Sequence, residues 1–322
     1  MSRIHVDEID IKEASNIWRY SPHGTIFTKP SVLTKLTETV CWMAAIKGKE
    51  YLCCWPVCLN HAGEPHLPNF TYFVGPFWAI TASEVPIHRS LKNRREVYES
   101  FISRLEQQFG CFKCSLPLGI CDVRAFDWWN YHVPEKPRIN ISPRYTAQIC
   151  NLQSTIDVRK NYRPVRRQEL RKAQGKFHVL VKKNPSIESI VDIYSELMFR
   201  QNRRILESDI KLVTALYNLV AAGEGFITTI ADWHSGEIAY ISLVLRGRGI
   251  SNLVLSLTNS EYRGTGVSAL GVHNSIQTAA GYGDTVFDFN GANSPNRGDD
   301  KHSYGAEEKL YFDLDYRLSD VA

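Results

Sequence analysis

Two consecutive stretches decide the fold of the second half of this chain: Ile250-Ser251-Asn252-Leu253-Val254-Leu255-Ser256-Leu257-Thr258, and soon after it Arg263-Gly264-Thr265-Gly266-Val267-Ser268. The first predicts a strand over 250–258. The second predicts a glycine-rich turn opening a helix that runs to Ala280 and is capped by Gly281. Free N–H groups at a helix start, together with the positive end of its dipole, can hold a pyrophosphate. Backbone donors from Gly264 to Ser268 and the charge of Arg263 would serve that role. The plainer alternative is a turn that only starts a helix.

Working outward, strands are predicted at 226–233, 237–246 and 250–258. Ser235-Gly236 and Gly247-Arg248-Gly249 join them as an antiparallel meander. Before them, Lys176 to Lys182 alternates as a strand. Ser186 can cap a helix with the apolar face Ile187, Ile190, Val191, Tyr194, Leu197 and Met198. A second helix over 209–222 stops at Gly223. A strand at 284–289 follows the glycine-turn helix, and a short helix and strand end the chain.

In the first half, Leu36–Ala45 is strand-like, Gly48 turns, and 50–58 is a buried strand. A helix over 90–109 carries Val97, Phe101, Ile102, Leu105 and Phe109 and ends at Gly110. Pro134-Glu135-Lys136-Pro137 breaks regular structure. Residues 134–158 are read as the passage between two domains, 1–155 and 156–322.

The chain has 322 residues, 43% hydrophobic and 11% aromatic, which suits two packed domains of about 150 residues each and argues against disorder. A net charge of +4 does not by itself imply a nucleic-acid partner. Met1–Glu8 lacks a signal-peptide core, and the apolar stretch Phe73–Ile80 is too short to span a bilayer. A soluble cytoplasmic protein is expected. All eight cysteines lie in the first half. Cys111 and Cys114 have zinc-ligand spacing, with Cys54 and Cys58 as further donors. Burial as free thiols is the favoured reading, and no metal is expected.

The run at Arg263–Ser268 resembles the coenzyme A loop of GNAT acyltransferases, with Ser268 where that family prefers Gly or Ala. Asp288-Phe289-Asn290-Gly291 and Lys301-His302-Ser303-Tyr304-Gly305 resemble the C-terminal signature of its Fem-like branch. Asp300 and Tyr304 stand where that signature has phenylalanine. Gly24-Thr25-Ile26-Phe27, Asp122–Trp128, Arg144-Tyr145-Thr146 and Arg167–Ala173 match further positions in order. The resemblance implies an α/β (α+β) fold of two tandem GNAT-like domains, each a mixed, mostly antiparallel sheet flanked by helices. It implies acyl or aminoacyl transfer to an amine. Some members use aminoacyl-tRNA in peptidoglycan synthesis; others use acyl-CoA, including enzymes that acylate nucleotide-linked amino sugars. The coenzyme A-like loop and the lack of a long heptad arm favour acyl-CoA. The expected acceptor is a nucleotide-linked amino sugar, with a dTDP-linked 3-amino-3,6-dideoxyhexose as the specific guess and a dimer left open. A non-catalytic nucleotide- or RNA-binding protein is the reading from another class.

Amine acylation needs a proton acceptor, oxyanion donors and two substrates held together. The resemblance gives the oxyanion to backbone N–H groups of the strand holding Val254 and Ser256. It implies Lys301 as charge stabiliser, with a solvated surface lysine as the alternative, and Asp288 as the preferred base, with a structural carboxylate bonding nearby backbone N–H groups as the alternative. His302 beside Lys301 and His273 are the other base candidates, His273 being read as packing. Asn290 and Tyr304 are expected at the substrate. Arg159, Lys160, Arg163, Arg166, Arg167, Arg171 and Lys172 cluster within fourteen residues, and Arg163, Arg167 and Arg171 share a helical face. They and Arg204 are candidates for binding substrate phosphates, with a solvated face or salt bridges as the alternative.

Overall fold

The computed structural model describes residues 4–79, 87–153, 157–180 and 185–319. Contacts divide the chain into two compact units. Unit 1 holds residues up to Arg144 and again from Leu310; unit 2 holds Tyr145–Lys309. The expected boundary at 155 falls on residues 154–156, outside the described segments.

Unit 1 opens with β1 (Ile4–Glu8), α1 (Ile11–Tyr20), α2 (Pro30–Leu36), β2 (Thr39–Lys47), β3 (Glu50–Leu59) and β4 (Phe77–Trp78). Asp10 and Glu13 form a capping box at α1, which satisfies two otherwise orphaned N–H groups. Leu36 closes α2 instead of starting the strand, its side chain being spent on the core. The four strands form an antiparallel sheet in sequence order. Across it lies α3 (Ile87–Phe109), followed by β5 (Cys111–Ser115) and α4 (Arg124–Asp127). Trp55 anchors the core, edge-on or tilted to Phe101, Phe112 and Phe126 at 5.5–6.2 Å. Cys53, Cys54 and Cys114 are fully buried, and desolvation pushes their thiols well up; that of Cys58 rises to about 12. Among the described residues, no group of three or more His, Cys, Asp or Glu side chains is placed to hold a metal.

The chain passes into unit 2 within β6 (Asn140–Ile149), a strand inside the segment read as a linker. Unit 2 continues through α5 (Pro164–Gln174), β7 (Phe177–Val179), α6 (Ile187–Arg200), α7 (Glu207–Leu219), β8 (Gly225–Asp232), β9 (Ile238–Gly247), β10 (Ile250–Thr258), α8 (Val267–Gly281), β11 (Val286–Asp288) and α9 (Pro295–His302). Its strands lie in the order β6-β11-β10-β9-β8-β7. All pairs are antiparallel except β10–β11, for which α8 supplies the crossover. Of the strand expected over 176–182, residues 177–179 pair with β8, and 181–182 lie outside the described segments. Gly281 remains inside α8; the left-handed residue that ends the turn is Gly283. The last strand, β12 (Glu307–Arg317), returns to unit 1 and pairs antiparallel with β5. Among the described residues no helix is long and apolar enough to cross a membrane.

Candidate functional site

The site begins where two strands part. β10 and β11 are paired only over Ile250↔Val286, Ser251↔Phe287 and Asn252↔Asp288. β11 ends there, while β10 runs on to Thr258. On its other side β10 carries a bulge. Leu253 pairs with Val244 and Leu255 with Leu243, leaving Val254 as the extra residue. A bulge re-aims backbone groups and ends regular pairing, here beside the opening between β10 and β11.

A 3-10 turn at Ser260–Tyr262, capped by Asn259, leads from β10 to the glycine turn. Gly264 and Gly266 both have positive φ, +73° and +87°. Gly266 is the N-cap of α8 and supplies no side-chain cap; of the first N–H groups, that of Val267 donates to Thr265 Oγ1 at 3.4 Å. A methyl group on Gly266 would stand 2.4 Å from the Glu169 carbonyl oxygen; α5 packs directly on the turn. Lys172 Nζ reaches the Gly264 carbonyl at 3.4 Å, and Thr265 Oγ1 donates to the Tyr262 carbonyl at 2.5 Å. Arg263 and Gly264 are exposed, Val267 is buried, and Ser268 is half-buried. Ser256 is exposed, with its hydroxyl 2.9 Å from that of Tyr240, whereas the Val254 side chain is buried.

Opposite the turn, the two C-terminal motifs lock into one cradle. Asp288 is 1% exposed. Its carboxylate accepts from the Thr146 hydroxyl, from Gln148 Nε2 at 2.7 Å and from the Asn290 N–H at 2.7 Å. Burial raises its pKa, while these three donors and the Lys301 charge pull it back. Asn290 and Gly291 are both left-handed, with φ of +51° and +48°. Lys301 Nζ donates to both of their carbonyl oxygens, the Gly291 contact being 2.5 Å. The Asn290 side chain donates to the Leu253 carbonyl at 3.1 Å, just where β10 loses its partner, and its Oδ1 is buried without one.

α9 is held on α5 by charge. Arg166 bonds Glu169 at 2.7 Å, Asp300 at 2.6 Å and Ser303 Oγ at 3.0 Å, and its guanidinium lies 4.7 Å from the Tyr304 ring centre. Tyr304, expected at the substrate, is 2% exposed and packed on Phe289 and Tyr162. His302 is tied to the Ala306 carbonyl at 3.1 Å and Glu308 at 3.3 Å. His273 is buried on α8, 3.2 Å from the Tyr162 hydroxyl, and burial with the Arg159 charge lowers its pKa to about 4.

The basic stripe divides. Arg163 is the N-cap of α5, and its guanidinium bonds Asp299 at 2.5 Å. Arg167 and Arg171 instead line a cleft of about 370 Å³ with Asp157, Arg159, Lys160 and Leu170. Arg204 is exposed between α6 and α7. Sequence reasoning gave Thr146 only as part of a matched segment, with no role, and missed Gln148, since β6 was read as a linker; it did not single out the pairing of Arg166 with α9. Three buried residues in a row, Thr146, Ala147 and Gln148, present no alternating pattern to announce a strand.

No protein-family model matches the chain, and no curated protein matches it by sequence. Solved structures match along nearly its whole length. A crystal structure of FemX superposes with a TM-score of 0.66 at 10% identity, covering 98% of this chain and 97% of that one. A tandem GNAT protein from the clavulanic acid biosynthesis pathway gives 0.56 at 10% identity, covering 97% and 98%. L-PGS from Bacillus licheniformis gives 0.54 at 12% identity, covering 97% and 93%. The chain has the fold that these structures share: α+β, with mixed, mostly antiparallel sheets.

Proposed function

We propose that this protein is an N-acyltransferase that takes its acyl group from acyl-CoA. The carrying observation is the conjunction in unit 2: a bulged strand loses its β11 partner after Asn252 and leads into a glycine-lined helix start whose N-cap brings no side chain. The α8 N–H groups and Arg263 suit the donor's pyrophosphate. Backbone N–H groups around Val254 and Ser256 suit the oxyanion of the tetrahedral intermediate. The attacking amine forms the N–C bond, the thioester C–S bond breaks, and the amine proton leaves with the thiolate. The likeness to a tandem GNAT protein described without AcCoA supports this donor. The acceptor we propose is the amine of a nucleotide-linked sugar, the cleft lined by Arg167 and Arg171 supplying charge for phosphates.

In this reading Asp288 and Lys301 build the site. Three donors and complete burial make the Asp288 carboxylate an anchor for the Asn290–Gly291 turn, in place of the base expected from its motif. Lys301 clamps the same turn from its carbonyl side. Asn290 turns its unpaired, buried Oδ1 away from Leu253 and suits an N–H of a bound substrate. A second reading, with aminoacyl-tRNA as donor, draws on the likeness to FemX and on the basic cleft.

Thermal shift with coenzyme A and acetyl-CoA, followed by thiol release in the presence of amino-sugar nucleotides, tests the first reading. Stabilisation by coenzyme A that Arg263→Gln weakens is the expected result. No response to coenzyme A, with salt-dependent binding of tRNA, would favour the second reading. Nucleotide binding with no thiol release would leave a non-catalytic binding protein.

A further inference from the structure

Unit 1 holds a pocket of about 290 Å³ at the edge of its core, with Tyr98, Ile120 and Ala125 among its lining residues. Small-ligand sites begin at roughly this size. Trp78 on β4 and Tyr98 on α3 form one wall, fixed by a hydrogen bond from the indole N–H to the Tyr98 hydroxyl at 2.7 Å and a ring separation of 5.4 Å. Trp128, just past α4, forms another and is 46% exposed, an unusual outlay of aromatic surface. Lys92, Arg94, Arg95 and Arg124 line the same pocket against a single acid, Asp122.

These cations are not equivalent. Arg124 is held by two bonds to Asp122, at 2.7 and 2.8 Å, and Arg95 pairs with Glu99 at 3.3 Å. Both guanidinium groups lie under 6 Å from the Trp128 ring centre. Among the described residues Arg94 has no ion pair; it rests 5.7 Å from the Trp78 ring centre. His23, also lining the pocket, has a buried Nδ1 without a hydrogen-bond partner. An exposed indole, a guanidinium with no ion pair among the described residues and an imidazole nitrogen with no hydrogen-bond partner among them belong to residues that line one hollow. Their chemistry calls for a flat ring to stack and an anion to pair.

We propose that this pocket binds a nucleoside phosphate, with the base stacked on Trp128 and the phosphate taken by Arg94. Pyrimidine and adenine mononucleotides share this chemistry, and the site is additional to the phosphate contacts proposed in unit 2. The site stands whatever group unit 2 transfers, because its test is binding rather than turnover.

The experiment is calorimetry and tryptophan fluorescence on the full chain with UMP, dTMP, 3′,5′-ADP, uridine and inorganic phosphate. At least one mononucleotide should bind and quench tryptophan, about 10-fold or more tighter than uridine or phosphate alone. Its preference among the three names the source. Trp128→Ala and Arg94→Gln, both at exposed positions, should each weaken that binding roughly 5- to 100-fold while unfolding temperature is retained. Lys49→Gln, on the exposed β2–β3 turn, should leave it unchanged. Absence of mononucleotide binding, or binding that both pocket variants leave intact, overturns the proposal. So does phosphate binding as tightly as the nucleotides.

Discussion

The glycine turn and the Asp288–Lys301 cradle stand in the same unit and are built from opposite materials. The turn is mostly backbone: two left-handed glycines, a helix start whose N-cap has no side chain and a neighbouring carbonyl 2.4 Å from where a methyl group would sit. Its glycines and helix start lie within six consecutive residues, and α5 packs on it from elsewhere in the chain. The cradle is side chain: Thr146 and Gln148 on β6, Asp288 on β11 and Lys301 on α9, drawn from across more than half of unit 2's length. A site made of backbone fails through sterics, one residue at a time. A site made of buried polar side chains fails through stranded donors, several at once.

Removing the carboxylate should show the difference at its largest. Asp288→Ala leaves the Thr146 hydroxyl, the Gln148 amide and the Asn290 N–H without an acceptor in a position 1% exposed. At about 1–3 kcal/mol for each stranded group, a loss of about 5 kcal/mol in denaturant unfolding is expected. A loss under about 1 kcal/mol would mean that the three donors find other partners, and the cradle would then be no cooperative unit.

The turn makes a sharper, paired prediction. Gly266→Ala adds the cost of a left-handed alanine, about 1–2 kcal/mol, to overpacking against Glu169, about 1–3 kcal/mol. The expected total is about 3 kcal/mol. Gly264→Ala shares the left-handed backbone but meets nothing within 4 Å, so about 1 kcal/mol is expected. Equal losses in thermal or urea unfolding would show that α5 yields to the added methyl group and does not fix the turn.

These materials also explain what the sequence disclosed. The meander β8–β10, the glycine turn and α8 were legible because each is announced locally: apolar runs bounded by Gly236 and Gly249, then a glycine pair before a helix. Asp288, Asn290 and Lys301 were found through a resemblance, but their geometry was not. No local pattern says that Lys301 clamps two carbonyls ten and eleven residues back. β6 was hidden because two of its buried residues, Thr146 and Gln148, are polar and serve the cradle. Arg163 was placed on a phosphate-facing stripe with Arg167 and Arg171, yet it lies at a helix cap beside Asp299. The acid that claims it comes from α9, far along the chain.

The mildest test uses protons in place of mutations to the site itself. Among the buried ionisable groups of unit 2, Asp288 and His273 have linkages that run in opposite senses. Asp288 has a raised pKa, so its folded form holds a proton more readily than the unfolded chain. That term favours folding below the unfolded value of 3.8 and is lost as pH rises through the folded one. His273 has its pKa lowered from 6.5 to about 4, chiefly by desolvation and then by Arg159. Its neutral form suits the folded state, so this term is complete above pH 6.5 and is lost as pH falls toward 4. The size is about 3 kcal/mol across that window. His273→Leu removes the titration at the fixed cost of an unpaired Tyr162 hydroxyl. Urea unfolding at pH 7, 5.5 and 4.5 should therefore show the wild type's stability falling toward the variant's as pH drops. A constant gap would show that the imidazole protonates in the folded protein as readily as in the unfolded chain, and that α8 opens at this point to admit the charge.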